Sequence, residues 1–223
     1  MAIKGFGLVL VGLALTLGGC MQSTMEASSD ANLTPRDKKL LAAAPYEKVE
    51  VAEPYRRHIV EYHRKELPGT IVVDSDARYL YYVMDGGKAI RYGVTVGDEA
   101  LSWSGVAKVG RMTEWPTWTP TAEIKKRMDV PDFVASGPQN PMGARALYLY
   151  DGSKDTMYRI HGTNQPEYIG QAISSGCIRL TNEDVIDLYK RVKTGAVVVV
   201  LAPKQGDSPY SPRMAGAGES LFR

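Results

Sequence analysis

The chain has 223 residues, 44% of them hydrophobic, which is ordinary for a globular protein and enough for one good core or two small ones. Twenty-seven basic residues stand against 25 acidic ones, a net charge of +2, so charge argues for neither nucleic acid nor an anionic surface as partner. With 2 cysteines and 3 histidines, the chain is also poor in the ligands a metal centre needs.

Residues 1–19 form a separate object. Lys4 supplies a short positive region, residues 6–17 are uncharged and apolar, and small residues follow. The apolar run is shorter than the ~20 residues that span a bilayer, so it reads as a secretory signal rather than a membrane helix. Leu17-Gly18-Gly19-Cys20 resembles the lipobox of bacterial lipoproteins, in which the cysteine is acylated; the alternative is an ordinary signal peptide with a cysteine nearby. If Cys20 carries lipid, Cys177 has no disulfide partner and stays a free thiol even in an oxidising compartment.

Residues 20–53 are rich in Ala, Ser, Glu, Lys and Pro without a sustained period, which predicts a flexible tether with a short helix over 36–43. Residues 54–66 read as a solvated basic lead-in. His58 and His63 are five apart and do not share a helix face, so they predict no zinc site.

From residue 54 to 203 a single domain is expected. Residues 70–73, 79–84 and 89–96 are rich in β-branched and aromatic side chains, and Asp85-Gly86-Gly87 marks a hairpin, which together predict an antiparallel meander. Trp115 and Trp118 lie in a Pro-broken segment and are expected at the core edge rather than as an aromatic wall for substrate. A helical turn or two is expected over 123–128, and a mobile loop over 136–143 that could overhang the site. Residues 147–150 and 158–161 read as strands paired across Asp151-Gly152, which delivers His161 at a strand end. Thr181 with Asp184 three residues on signals a helix start, so 182–193 is expected to be helical and closed by Gly195. A buried strand over 196–201 and a flexible tail over 204–223 complete the chain.

The stretch from 161 to 180 carries the chemistry. It reads His161-Gly162-Thr163-Asn164 at one end and Ser174-Ser175-Gly176-Cys177-Ile178-Arg179-Leu180 at the other. A thiol nucleophile needs a base for its proton, and the attacked carbonyl needs donors for its oxyanion. His161 can be the base, amides near Gly176 and Cys177 the donors, and Arg179 a fork for a substrate carboxylate. Cys177 lies four residues before the helix cap, beyond the reach of the helix dipole, so His161 is credited with activating it.

The string HGTNQPEYIGQAISSGCIRLTNEDVIDLY resembles the signature of the L,D-transpeptidase catalytic domain (YkuD-like, ErfK/YbiS type), a His-Gly-Thr followed by Ser-x-Gly-Cys-x-Arg. Residues 68–74 and 137–150 resemble the family's opening strand and the stretch before its histidine. The resemblance implies a mostly β, antiparallel β-sandwich-like domain with one principal helix after the cysteine. It further implies Cys177 and His161 as catalytic residues, with Gly162, Thr163, Gly176 and Arg179 around substrate and oxyanion. Many members carry His where this chain has Ser175, which makes Ser175 a candidate for the third catalytic position. The implied substrates are peptidoglycan stem peptides, with another stem or an outer-membrane protein as acyl acceptor. No metal or organic cofactor is expected, and the location expected is the periplasm, membrane-anchored through Cys20. A Cys/His hydrolase and a wall-binding lipoprotein without activity are the alternatives; papain-like hydrolases place Cys before His, the reverse of this chain.

Overall fold

The structure, a computed structural model, describes residues 33–46, 49–98 and 103–206. The signal segment, the lipobox with Cys20 and the end of the tail lie outside the described residues.

Two runs of valine set the middle of the fold. Strand β2 (Ile71–Asp74) is buried along its whole length, and β11 (Val197–Val200) is buried in its last three residues. Successive side chains of a strand point to opposite faces, so such runs require cover on both sides. Ile71, Val73, Val198 and Val200 enter the larger core, whereas Val72 and Val199 enter a smaller one with Val83, Ala89 and Leu201. β2 pairs antiparallel with β3 (Tyr79–Met84), and β3 with β4 (Lys88–Gly93), which is the meander expected from the sequence.

The remaining strands are β1 (His58–Glu61), β5 (Val96–Gly97), β6 (Gly105–Glu114), β7 (Arg145–Asp151), β8 (Lys154–His161), β9 (Ala172–Ser174) and β10 (Ile178–Arg179). Among the described residues nine strands form one sheet in the order β1-β4-β3-β2-β11-β6-β7-β8-β10, and β5 pairs with β9 apart from it. The chain is mostly β with few helices, as expected. The sheet is mixed: β11 runs parallel to β2, and β10 parallel to β8.

Strand β6 had no counterpart in the sequence reading. Lys108, Arg111 and two glycines dilute its β signal, yet it pairs antiparallel with both β11 and β7. The register slips between Val109 and Arg111, at Gly110, where a Cβ would meet the Tyr150 ring at 2.4 Å. A glycine there lets β7 close onto β6.

Helix α3 (Asn182–Arg191) begins at Thr181, whose hydroxyl accepts from the Asp184 amide, and lays Val185 and Leu188 into the main core. Its end comes sooner than expected, with Val192 already extended as its C-cap. Helix α2 (Ala122–Arg127) lies on the surface.

Two N-terminal expectations need correction. The lead-in over 54–66 is only partly solvated: β1 pairs with β4, and Arg57, His58 and Tyr62 are buried. Arg57 is drawn in by charge, 3.6 Å from an Asp184 oxygen and 3.2 Å from an Asp187 oxygen. Residues 33–46, assigned to the tether, are docked. Helix α1 (Pro35–Ala42) is closed by a capping box between Thr34 and Asp37. Leu33, Leu40 and Leu41 pack on Trp115, Ala144 and Ile186. Composition could not show this, because the docking also depends on a buried ion pair between distant positions, Asp37 with Arg145, made by two hydrogen bonds of 3.0 and 2.9 Å.

Candidate active site

His161 ends β8, and β10 runs beside it in the same direction, with Ile178 opposite Ile160 and Arg179 opposite His161. The Leu180 amide donates to the His161 carbonyl at 2.9 Å, and Arg179 exchanges two backbone hydrogen bonds with Thr95 on its other side. Carried back along β10, this register sets Cys177 beside Arg159. Side chains two apart on a strand share a face, so Arg159, His161 and Arg179 lie on one face of the sheet, and the Cys177 thiol, just before β10, is met by the Arg159 backbone amide.

The turn before Cys177 is tied by Ser174, which the sequence reading passed over. Its buried hydroxyl donates to the Cys177 carbonyl at 2.6 Å and accepts from the Gly176 amide at 3.1 Å. Gly176 itself has φ +114°, a conformation that side-chain-bearing residues rarely adopt. The Gly176 amide is thus engaged with Ser174, contrary to its expected use as an oxyanion donor.

The group that orients the imidazole is a backbone carbonyl. His161 Nδ1 lies 2.6 Å from the Gly162 oxygen, and an acceptor there requires the proton on Nδ1 and leaves Nε2 as the basic nitrogen. Ser175 is exposed. Thr163 is buried, its hydroxyl accepting from the Gln165 amide at 3.0 Å and its carbonyl from Asn182 at 2.9 Å, so it shapes the turn instead of facing a substrate.

Burial, followed by the neighbouring Arg179 charge, pushes His161 down to about 3, against the opposing pull of the Gly162 and Met142 carbonyls. Burial also raises the Cys177 thiol, although the Arg159 backbone amide and the charges of Arg159 and Arg179 work the other way. Both groups therefore rest neutral near pH 7, as thiol and imidazole rather than as an ion pair.

Arg159 and Asn182 are site residues the sequence reading missed. Arg159 binds Asp155 through hydrogen bonds of 2.7 and 2.9 Å, and its guanidinium lies 4.5 Å from the centre of the Tyr148 ring. Arg111 stacks on the same ring at 3.6 Å. The available signal for Arg159 was its position two residues before His161, on the same strand face. The segment over 136–143 is tied down by Asn140, whose side-chain amide donates to Val134 and Ala135 carbonyls and whose oxygen accepts from Met142. Trp118 and Met142 pack together near Tyr148, and Trp115 is buried with its indole N–H donating to Asp37 at 2.8 Å.

The profile of the YkuD family, the L,D-transpeptidase catalytic domain, matches residues 68–200, and the chain belongs to that family. It is similar to the probable L,D-transpeptidase YbiS of Escherichia coli, with 35% identity over 139 residues, covering 58% of this chain and 43% of that protein. The probable L,D-transpeptidase ErfK/SrfK of Escherichia coli is 34% identical over 142 residues, covering 60% of this chain and 44% of that protein. The chain thus spans less than half the length of these curated relatives. A solved structure from Brucella melitensis, described as a probable carnitine operon oxidoreductase, is 44% identical with a TM-score of 0.46, covering 68% of this chain and 96% of its own.

Proposed function

We propose that the protein is an exported, lipid-tethered L,D-transpeptidase acting on the tetrapeptide stems of peptidoglycan through a thioester on Cys177. The observation that supports this reading best is the pairing of β8 with β10, with Arg179 opposite His161 and the Cys177 thiol against the Arg159 amide two residues before that histidine, whose imidazole is neutral with Nε2 unprotonated. A neutral imidazole can take a proton, and a half-buried thiol gives its proton up as it attacks.

In the first half-reaction Sγ bonds to the carbonyl carbon that joins an L-centre to the terminal D-residue, while the thiol proton passes to Nε2. The oxyanion is held by the Cys177 amide, and Arg179 holds a stem carboxylate. Collapse breaks the carbon–nitrogen bond, and the departing D-amino acid takes the proton from Nε2. In the second, an amine of another stem, or of an outer-membrane protein, attacks the thioester carbon and gives its proton to Nε2. The new amide forms, and the sulfur leaves as a thiolate that recovers that proton. No step draws on a metal or organic cofactor.

Incubation of the purified protein with disaccharide tetrapeptides, followed by mass analysis, tests this. Cross-linked dimers with released D-amino acid are expected; tripeptides alone would replace the reading with a hydrolase. For the tether, Cys20→Ser is expected to move the protein from membrane to soluble fraction, since several acyl chains on one cysteine hold far better than one. Unchanged fractionation, with no acyl mass on the wild-type N-terminus, would reject lipidation.

A further inference from the structure

The His161 turn is stitched from outside by a single amide. Asn182, the first residue of α3, is buried, and its Oδ1 accepts from the Ala144 amide at 2.8 Å. Its Nδ2 donates to the Thr163 carbonyl at 2.9 Å and to the Tyr46 hydroxyl at 2.7 Å. Both amide hydrogens are thus used, and the side chain has one orientation that satisfies them. The backbone closes tightly around it: a Cβ on Gly143 would come within 2.2 Å of Asn182 Oδ1, and one on Gly162 within 2.3 Å.

These contacts bracket the imidazole. Thr163 follows Gly162, whose carbonyl holds Nδ1, and Ala144 lies two residues after Met142, whose carbonyl also acts on the ring. The Gly162 amide in turn donates to the Arg145 carbonyl at 3.0 Å. Tyr46 comes from the N-terminal segment that Asp37 fastens to Arg145, and that segment lies outside the 68–200 match to the family.

We propose that Asn182, held in place by Tyr46, is a positioning residue for His161, and that the docked N-terminal segment is a working part of the active site. Asn182 touches no reacting atom. It fixes the spacing of the Met142–Ala144 and Gly162–Thr163 segments, and so aims Nε2 at the Cys177 thiol. Removing the Tyr46 hydroxyl frees one amide hydrogen of Asn182 and loosens that aim without opening a cavity. A displacement on the order of 1 Å costs such a proton transfer heavily.

The inference rests on the transpeptidase reading for the role of His161, but one arm of its test does not need the natural substrate. Iodoacetamide alkylation of Cys177 in the full chain is measured from pH 6 to pH 10 for wild type, Tyr46→Phe and Asn182→Ala, beside turnover of tetrapeptide stems. Near pH 7 alkylation is expected to slow about threefold in Tyr46→Phe and about tenfold in Asn182→Ala. The deficit should narrow as pH rises and hydroxide, rather than His161, ionises the thiol. Turnover should fall in kcat with KM nearly unchanged. Wild-type alkylation profiles in both variants, or equal slowing at every pH, would overturn the proposal. If Asn182→Ala does not fold, Tyr46→Phe, which loses one oxygen, decides it by the same criteria. A wild type that alkylates normally yet makes no product from stems refutes the transpeptidase reading and leaves the Asn182 comparison intact.

Discussion

Arg179 and His161 stand opposite each other, in register, on the parallel strands β10 and β8. Burial opposes a positive charge on the imidazole, and the neighbouring guanidinium opposes it further. Arg179 thereby helps keep the His161 imidazole neutral whether or not substrate is present.

Replacing Arg179 by Lys keeps the charge and loses the planar fork, whereas Gln loses both. Arg179→Lys is expected to leave His161 neutral and to reduce kcat/KM more than tenfold, the cost of losing a two-pronged carboxylate contact. Arg179→Gln should raise the His161 pKa, which still remains below the ordinary imidazole value because burial is the larger cause. Titration of His161 by NMR beside steady-state kinetics checks both, and an Arg179→Lys variant that melts early but keeps full specific activity would make Arg179 structural.

A carbapenem is expected to acylate Cys177. Its strained carbonyl offers the sulfur an electrophile whose leaving amine stays tethered, and a site that admits an amine and excludes water should preserve the thioester. Intact-protein mass spectrometry should show one adduct on the wild type and none on Cys177→Ser. His161→Ala should slow acylation at least a hundredfold without abolishing it. An adduct that persists on Cys177→Ser would refute the assignment.

Asp37→Asn should destabilise the fold by about 3 kcal/mol or more, because it leaves the Arg145 guanidinium buried without its counter-charge. Hydrogen bonds from Arg145, Thr34 and Trp115 overcome the effect of burial and hold the Asp37 carboxyl at about 2. A depressed folded-state pKa means stability that is complete above about pH 4 and lost as pH falls through 2, roughly 2.5 kcal/mol in all. Urea unfolding from about pH 1.5 to pH 5 should show this slope in wild type and not in Asp37→Asn.

Asp184 works in the opposite sense. Burial raises it to about 6 in spite of Arg57, so between about pH 4 and 6 the folded state keeps a proton that the unfolded chain has released. Stability from this group therefore falls as pH rises through that window, by roughly 3 kcal/mol. Unfolding free energies at pH 4.5 and 7.5 should differ between wild type and Asp184→Asn by a pH-dependent amount; a constant difference would show that Asp184 does not titrate there.

What the sequence determined by itself was local. The alternation of β3 and β4 around a glycine hairpin, the Thr181 cap of α3 and the glycine-flanked His161 and Cys177 all declare themselves within a few residues, because backbone sterics and burial periodicity act at that range. Tertiary structure decided the partners. Nothing in residues 33–46 announces that Asp37 will bond Arg145, 108 positions away, or that Tyr46 will reach Asn182. Strand β6 escaped detection since its pattern is polar and glycine-broken, and only pairing on both edges makes it a strand. The parallel register of β10 on β8 likewise follows from no local signal: periodicity tells which face a side chain takes, whereas the neighbour it meets there is chosen by packing of the whole sheet. That choice brings Arg159 to the thiol and leaves Ser175 exposed, so the family was legible in the chain, and the neighbours packed around Cys177 were not.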